Sequence, residues 1–465
     1  MRPKPSLTEG SIPHALIDFA LPILAGNVLQ SLNGSVNAVW IGRFLGEAAF
    51  AGVGNSNVVM FMLLAAIFGI SMATTVLIAQ FAGAGRLDEA KRVVGTSASF
   101  FLLLSGVIAA LGFAGTPLLL RALHTPTDAL AAASAYMRVI FLAFPFISSF
   151  FFVMAALRGA GDSRTPFVFL VVSVVLDIGL NPLLIFGVGP LPRLGVAGSA
   201  TATLIAQASS LVALLVHLRR KRHPLFLHRQ DLGLLRIDWT LVKALVAKGM
   251  PMGLQMFVAS SSMIALTALV NRFGSEETAA FNAAMQLWSY VQMPALAIAA
   301  AGSSMVAQNI GAGRWNRVDS IAAAAVACNF LLGGALIALI YAADRHVLGW
   351  FLPPHGPALA LAVHLNARAV WSFAFFGVSV VLFGVMRASG AVFAPLAILV
   401  STLWCIRVPF AYLMVNRLHA EAIWWSFPLA SIVSMIMALV YYRFGGWRRA
   451  SLGIVVGTPR AAAQA

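Results

Sequence analysis

The chain has 465 residues, of which 60% are hydrophobic and only 10% charged, against about 25% charged in a typical soluble domain. That much apolar surface cannot be hidden from water, so lipid must be the solvent, and the net charge of +16 is not a nucleic-acid footprint. Cys328 and Cys405 lie in apolar segments, offer no disulfide framework or CxxC metal spacing, and read as two small buried hydrophobes.

Residues 1–13 form a short polar cytoplasmic N-terminus. The first apolar run carries Asp18, Pro22, Asn27, Gln30 and Asn33, too polar for a signal-peptide core, so it is expected to remain as the first span. Runs long enough to cross about 30 Å of hydrocarbon predict six spans in 14–218, at 14–39, 49–81, 92–116, 130–156, 166–187 and 195–218. Six more follow in 241–443, at 241–270, 279–309, 318–342, 358–385, 393–415 and 422–443. Between the halves, 219–240 is a basic linker with scattered Leu, Phe and Trp, which suits a stretch lying on the cytoplasmic leaflet. Residues 444–465 form a cytoplasmic tail with no assignable role.

With both termini inside, 22 of the Lys and Arg residues fall on the cytoplasmic side and six on the other: Arg43, Arg121, Arg193, Arg272, Arg345 and Arg417. The positive-inside rule therefore predicts cytoplasmic termini. The halves are also repeats. QFAGAGR at Gln80–Arg86 recurs as QNIGAGR at Gln308–Arg314, and Pro22, Arg43, Arg158 and Pro166 recur as Pro251, Arg272, Arg387 and Pro395. Two parallel six-helix repeats are a transporter pattern. In GAGR the glycines permit the left-handed turn that ends a helix, and the arginine is expected to satisfy last-turn carbonyls. Nothing has the GxxxxGK[ST] spacing of a phosphate loop, so ATP-driven transport has no support.

Coupling to an ion gradient needs a titratable or ion-coordinating group inside the membrane. Apart from Asp319 at the very edge of the ninth span, only Asp18 and Asp177 of the acidic residues lie within spans. Asp18 sits in the first turns, whereas Asp177 is roughly 17 Å into the fifth span, at ~1.5 Å per residue. A carboxylate at that depth should face a polar cavity. Asn181 is four residues on and shares its face, Pro182 leaves the Ile178 carbonyl without a donor, and Thr203 adds a hydroxyl. This set suits H+ or Na+, a Na+ site comprising Asp177, Asn181 and Thr203. On the first span Asn27, Gln30, Asn33 and Asn37 form one polar stripe, and Pro22 with Gly26 and Gly34 loosens the same helix. The second half has no central carboxylate. It offers Gln255, Asn282, Gln286, Gln292, Asn329 and Asn366, while a deep Arg407 is expected to bond helix carbonyls. Trp40 and Tyr136 join Asn33, Gln30, Gln255, Asn282 and Gln286 as candidate cavity residues. Pro22, Gly26, Pro182 and Pro251 are candidate points of bending.

VNAVWIGRFLG (Val36–Gly46), LRGAGDSRTP (Leu157–Pro166), NPLLIFG (Asn181–Gly187), LGVAGSATAT (Leu194–Thr203) and IRVPFAYL (Ile406–Leu413) stand in order with the two GAGR ends. Together they resemble the bacterial multidrug and toxic compound extrusion (MATE) transporters over residues 14–443. The resemblance implies an all-α, twelve-helix, V-shaped two-lobe antiporter. It would export amphipathic, often cationic compounds in exchange for H+ or Na+ from a bacterial inner membrane. It implies no cofactor, nucleic acid or obligatory protein partner; the partners are small amphipathic substrates and membrane lipids. It also places Asn37, Asp177, Asn181 and Thr203 around one polar site and makes bending of the first helix part of ion binding. The chain departs from the family pattern twice. Asn37 stands where those proteins usually carry Asp, and the fifth helix reads Asp177 then Asn181-Pro182 where they usually show Asn then Asp-Pro. The nearest rival is a lipid-linked oligosaccharide flippase or another exporter of the same superfamily, which tends to have a more positive central cavity. An intramembrane enzyme lacks its motifs here (paired acidic, HExxH or GxSxG), and a structural scaffold does not account for a buried Asp177.

Overall fold

The computed structural model describes residues 7–123, 125–127, 129–187, 192–353 and 356–450, so most of the tail lies outside the described residues. All regular structure among them is helical. Twelve stretches are long and apolar enough to cross a membrane, one for each expected span. The first half contains α1 (Ile12–Leu45), α2 (Glu47–Gly83), α3 (Leu87–Ala122), α4 (Leu130–Gly159), α5 (Arg164–Phe186) and α6 (Val196–Arg220). The second contains α7 (Trp239–Val270), α8 (Ser275–Gly311), α9 (Trp315–Leu348), α10 (Pro357–Ala369), α11 (Phe373–Ser389), α12 (Phe393–Val400), α13 (Val408–Leu418) and α14 (Glu421–Phe444).

Most helices outrun their apolar runs because they continue until a capping device stops them. Gly85 and Gly313 have φ of +72° and +71°, the left-handed turn that glycine adopts without a Cβ penalty. Arg86 and Arg314 then donate their backbone N–H to Phe81 O (2.9 Å) and Asn309 O (2.8 Å). The main chain, not the expected guanidinium, closes these ends. The Arg86 side chain goes instead to Glu89 (2.6 Å). At the start of α5, Asp162 accepts from both the N–H and the hydroxyl of Thr165, at 3.0 and 2.9 Å, which satisfies an otherwise orphaned donor.

Two spans are not the uniform helices that their apolar runs predict. A 3₁₀ turn at Val370–Ser372 joins α10 to α11, and a π-helical turn at Ser401–Arg407 joins α12 to α13. Pro409 lies just beyond the wide turn. It has no N–H to give the Cys405 carbonyl, and a π-turn is one way a helix absorbs such a residue. Cys405 is exposed rather than buried.

The chain separates into two compact units, Ala25–Met250 and Met1–Leu24 with Pro251–Ala465. The division falls inside α1 and α7, beside Pro22 and Pro251, rather than in the linker 219–240. Proline interrupts the helical ladder at both places. In the first unit α4 is central, packing on α2, α3 and α6. One core joins Phe150, Met154 and Leu157 to Leu170, Val174, Leu214 and Leu218. In the second unit α8 is central, and Phe281, Trp288, Trp424 and Phe427 dominate its core. The start of the chain is fastened within this unit: Asn309 donates to Leu7 O (3.0 Å), Arg314 to Thr8 O (2.6 Å) and Arg317 to Gly10 O (2.8 Å).

The linker is not simply a strip on a lipid surface. Its 3₁₀ segment Arg229–Leu235 packs against α3. Lys91 pairs with Asp231 (3.1 Å), Arg92 with Asp238 (2.5 Å), and Ser99 donates to Leu235 O (2.7 Å). Gly95 makes room, since a Cβ there would lie 2.4 Å from Leu234 O. Leu232 and Leu235 remain exposed on the segment. The His228 N–H, then the Lys91 ammonium, hold the Asp231 carboxyl below its ordinary value of 3.8. At Asp238 burial pulls upward, but the Leu241 N–H and the Arg92 guanidinium outweigh it.

Two measurements follow from these contacts. Gly85→Ala or Gly313→Ala should destabilise the protein by about 1–2 kcal/mol, the cost of a left-handed L-residue, seen as a lower thermal midpoint in detergent. Gly34→Ala, whose Cβ meets nothing within 4 Å, should not lower it. Because both linker acids are depressed, their contribution is present above 3.8 and lost as pH falls through the lower folded values. Amide-exchange protection of 229–238, corrected for intrinsic rate, should therefore be equal at neutral and mildly acidic pH. It should fall in Lys91→Ala/Arg92→Ala.

Candidate functional site

Asp177 is the fourteenth residue of α5 and 3% exposed. Asn33 and Asn37, one turn apart on α1, donate to its Oδ2 at 2.8 and 2.9 Å. Thr203 on α6 donates to Oδ1 at 3.0 Å. Asn181, one turn beyond Asp177, donates to the Asp177 carbonyl (3.0 Å) and to Asn37 Oδ1 (3.0 Å), with a longer 3.5 Å contact to Asp177 Oδ1. Two i,i+4 pairs thus face one another across α1 and α5, and α6 closes the third side. Among the described residues, every hydrogen-bond partner of the carboxylate is a neutral donor. Asn33 Oδ1 and Asn181 Oδ1 are buried acceptors with no hydrogen-bond partner. A carboxylate, two free amide oxygens and a hydroxyl are oxygen ligands for a small hard cation, and the carboxylate alone can carry a proton.

The surrounding residues explain how the site is held. Asp177 itself is buried, while Asn33 and Asn37 on α1 are only partly so. Thr203 on α6 is likewise only partly buried. Gly26 keeps α1 close to α5, because a Cβ would lie 3.1 Å from Leu170 Cδ2. Ile178 packs on the Phe150–Leu218 core, which fixes the face of α5 adjoining Asp177. Tyr136 on α4 is buried and within electrostatic range of Asp177. Trp40 stands one turn beyond Asn37, stacked on Phe44 (5.2 Å) with Phe186 at their edges. Gln30 is exposed and does not join the set. Asp18 is part-exposed, 3.6 Å from His14.

The second unit has a different chemistry. Gln255 is buried, accepts from Arg387 (3.3 Å) and reaches Val392 O (3.5 Å), so it braces the α11–α12 junction. Asn282 is exposed and Gln286 partly so. Trp288 here, and Phe150 and Met154 in the first unit, are core packing. Arg407 is 6% exposed and its guanidinium lies 3.8 Å from the Phe427 ring. Among the described residues the expected bonds to helix carbonyls are not made. Its hydrogen-bond contact is Met263 Sδ at 3.9 Å, and Nε has no partner. Sequence reasoning also missed a cluster at the head of α14, where Glu421 pairs with His364 and with Arg368 (3.7 Å). His364 lies 57 residues earlier, and no local pattern announces the pairing.

The comparisons agree with this architecture. The MatE family model matches twice, over residues 22–183 and 251–413, one match in each half. Over 439 residues the chain is 36% identical to the probable multidrug resistance protein YoeA of Bacillus subtilis (strain 168), covering 94% of this chain and 95% of that protein. It is 30% identical to the probable multidrug resistance protein YpnP of the same organism, over 96% of this chain and 98% of the other. A crystal structure of MATE in the bent conformation shares its fold, with a TM-score of 0.86 at 22% identity, covering 94% of this chain and 96% of that one. The chain belongs to the MatE family of multidrug efflux transporters. It is a multi-pass membrane protein and not an enzyme.

Thr203→Val removes one donor from a buried carboxylate, a loss of about 1–3 kcal/mol. Its thermal midpoint should fall, and that of Thr203→Ser should stay near wild type. Equal midpoints for the two variants would mean that the 3.0 Å contact carries no weight.

Proposed function

We propose that this protein is a secondary antiporter that exports amphipathic, often cationic compounds in exchange for H+ or Na+. The observation that carries this reading is the Asp177 carboxylate, buried in the first unit and, among the described residues, without a basic partner within ion-pair range. One negative charge in a low-dielectric site can be balanced by a proton, by Na+ or by the cationic group of a substrate. Occupancy by one excludes the others, and that exclusion is the coupling. For Na+, Asn33 Oδ1, Asn181 Oδ1 and Thr203 Oγ1 would complete the ligands. For H+, Asp177 suffices.

The two donors that α1 gives to Asp177 give this helix the role of gate, with Pro22 as its point of bending and Pro251 as the matching point of α7. The large excess of Lys and Arg on one side supports cytoplasmic termini in a bacterial inner membrane. No ATP-binding motif competes with gradient coupling. The test is ethidium efflux from everted vesicles under separately imposed pH and Na+ gradients. Wild type should respond to one gradient. Asp177→Asn should lose gradient-driven efflux by at least about tenfold, the effect of ~1.4 kcal/mol. Normal efflux by Asp177→Asn under both gradients would overturn the assignment.

A further inference from the structure

The second unit holds a buried positive charge that the coupling scheme leaves unused. Arg407 is the fifteenth residue of the 26-residue span Phe393–Leu418, about 21 Å from its start at ~1.5 Å per residue. It is 6% exposed, and none of the described carboxylates forms an ion pair with it. Glu421, which heads the neighbouring α14, is already held by His364 and Arg368. The guanidinium rests 3.8 Å from the Phe427 ring, which covers one face and leaves the edge donors unspent. Among the described residues its Nε has no partner, and Nη2 meets only the thioether of Met263.

The same aromatic cluster contains a second spare donor. Phe427 lies 4.8 Å from the Trp288 ring, whose indole N–H goes to Asn366 Oδ1. The buried Asn366 Nδ2 has no partner. The polarity is opposite to that around Asp177, where the spare atoms are the amide oxygens of Asn33 and Asn181. The π-turn that ends at Arg407 places the guanidinium there, and such turns recur at functional sites.

Resting on the transport reading, we propose that Arg407 forms a carboxylate-recognition subsite that takes the acidic group of an aromatic, amphipathic substrate. A guanidinium edge matches a carboxylate bidentately. Phe427 is the ring that lies against it, while Trp288 and Trp424 belong to the buried core. The depth excludes a lipid phosphate, which stays at the edge of a hydrocarbon layer about 30 Å thick. Zwitterionic substrates would thereby be distinguished from plain cations.

The test is equilibrium binding to the purified full-length protein in detergent, using norfloxacin and its methyl ester, which differ only in the free carboxylate. Wild type should bind the acid about tenfold more tightly, the scale of one charged hydrogen bond. Arg407→Gln should bring the ratio to about one by weakening the acid alone, with unchanged ester binding as the sign of an intact fold. Arg407→Lys, which keeps the charge but loses the fork, should give an intermediate ratio and decides the matter if the Gln variant does not fold. A wild-type ratio near one, failure of wild type to bind either compound, or a ratio unchanged in Arg407→Lys would overturn the proposal. So would equal weakening of both compounds in a folded Arg407→Gln. The assay needs no gradient, so failure of the coupling scheme would appear in Asp177→Asn vesicles and not here.

Discussion

The first unit is organised around a single ionisable group in a region where charge is expensive. An ionised carboxylate taken out of water costs several kcal/mol even after relaxation, and hydrogen bonds to a charged group return about 1.5–3 kcal/mol each. Asp177 has three such bonds at 3.0 Å or less, two from α1 and one from α6. Those bonds tie three helices to one point. Drawing α1 away would strip the carboxylate of Asn33 and Asn37 together. The position of α1 and the charge state of the site are therefore one variable, and a transporter needs that linkage if occupancy is to select conformation.

The duplication makes the asymmetry visible. Both halves end their second helix at a left-handed glycine followed by arginine, and both hold a further segment with residues at or beyond that turn. Residues 7–10 are held by Asn309, Arg314 and Arg317, and the linker is held by Lys91, Arg92 and Ser99. These parts serve the scaffold and are shared. The deep polar groups are not shared. One half buries an anion among neutral donors, and the other buries a cation on an aromatic face, where the attraction is worth about 0.5–2 kcal/mol.

Much of this was legible because it is local or because lipid forbids alternatives. Apolar runs predicted the twelve spans, since only helices satisfy their own backbone in a bilayer without closing a barrel. Depth singled out Asp177, and three- and four-residue spacing put Asn33 beside Asn37 and Asp177 beside Asn181. What stayed hidden depends on distant partners or on backbone detail. Gln255 looked available to a substrate until Arg387, 132 residues away, was found to donate to it. The linker's basic composition pointed to lipid, but Asp231 and Asp238 fasten it to α3. The π-turn before Pro409 changes which face Arg407 presents, and no hydrophobic period records one extra residue in a turn. The family resemblance supplied the proposal of antiport. It did not account for Asn37, which the geometry now places as a donor to Asp177 rather than as a second carboxylate.

The central claim is that Asp177 is the one charge for which coupling ion and substrate compete. Its most direct test is equilibrium binding of ethidium to purified protein across a pH series, with and without Na+. The account predicts that raising either H+ or Na+ weakens binding competitively in wild type, and that Asp177→Asn binds weakly and without dependence on either ion. Wild-type binding independent of both ions, or an Asp177→Asn variant with the same ion dependence as wild type, would contradict it.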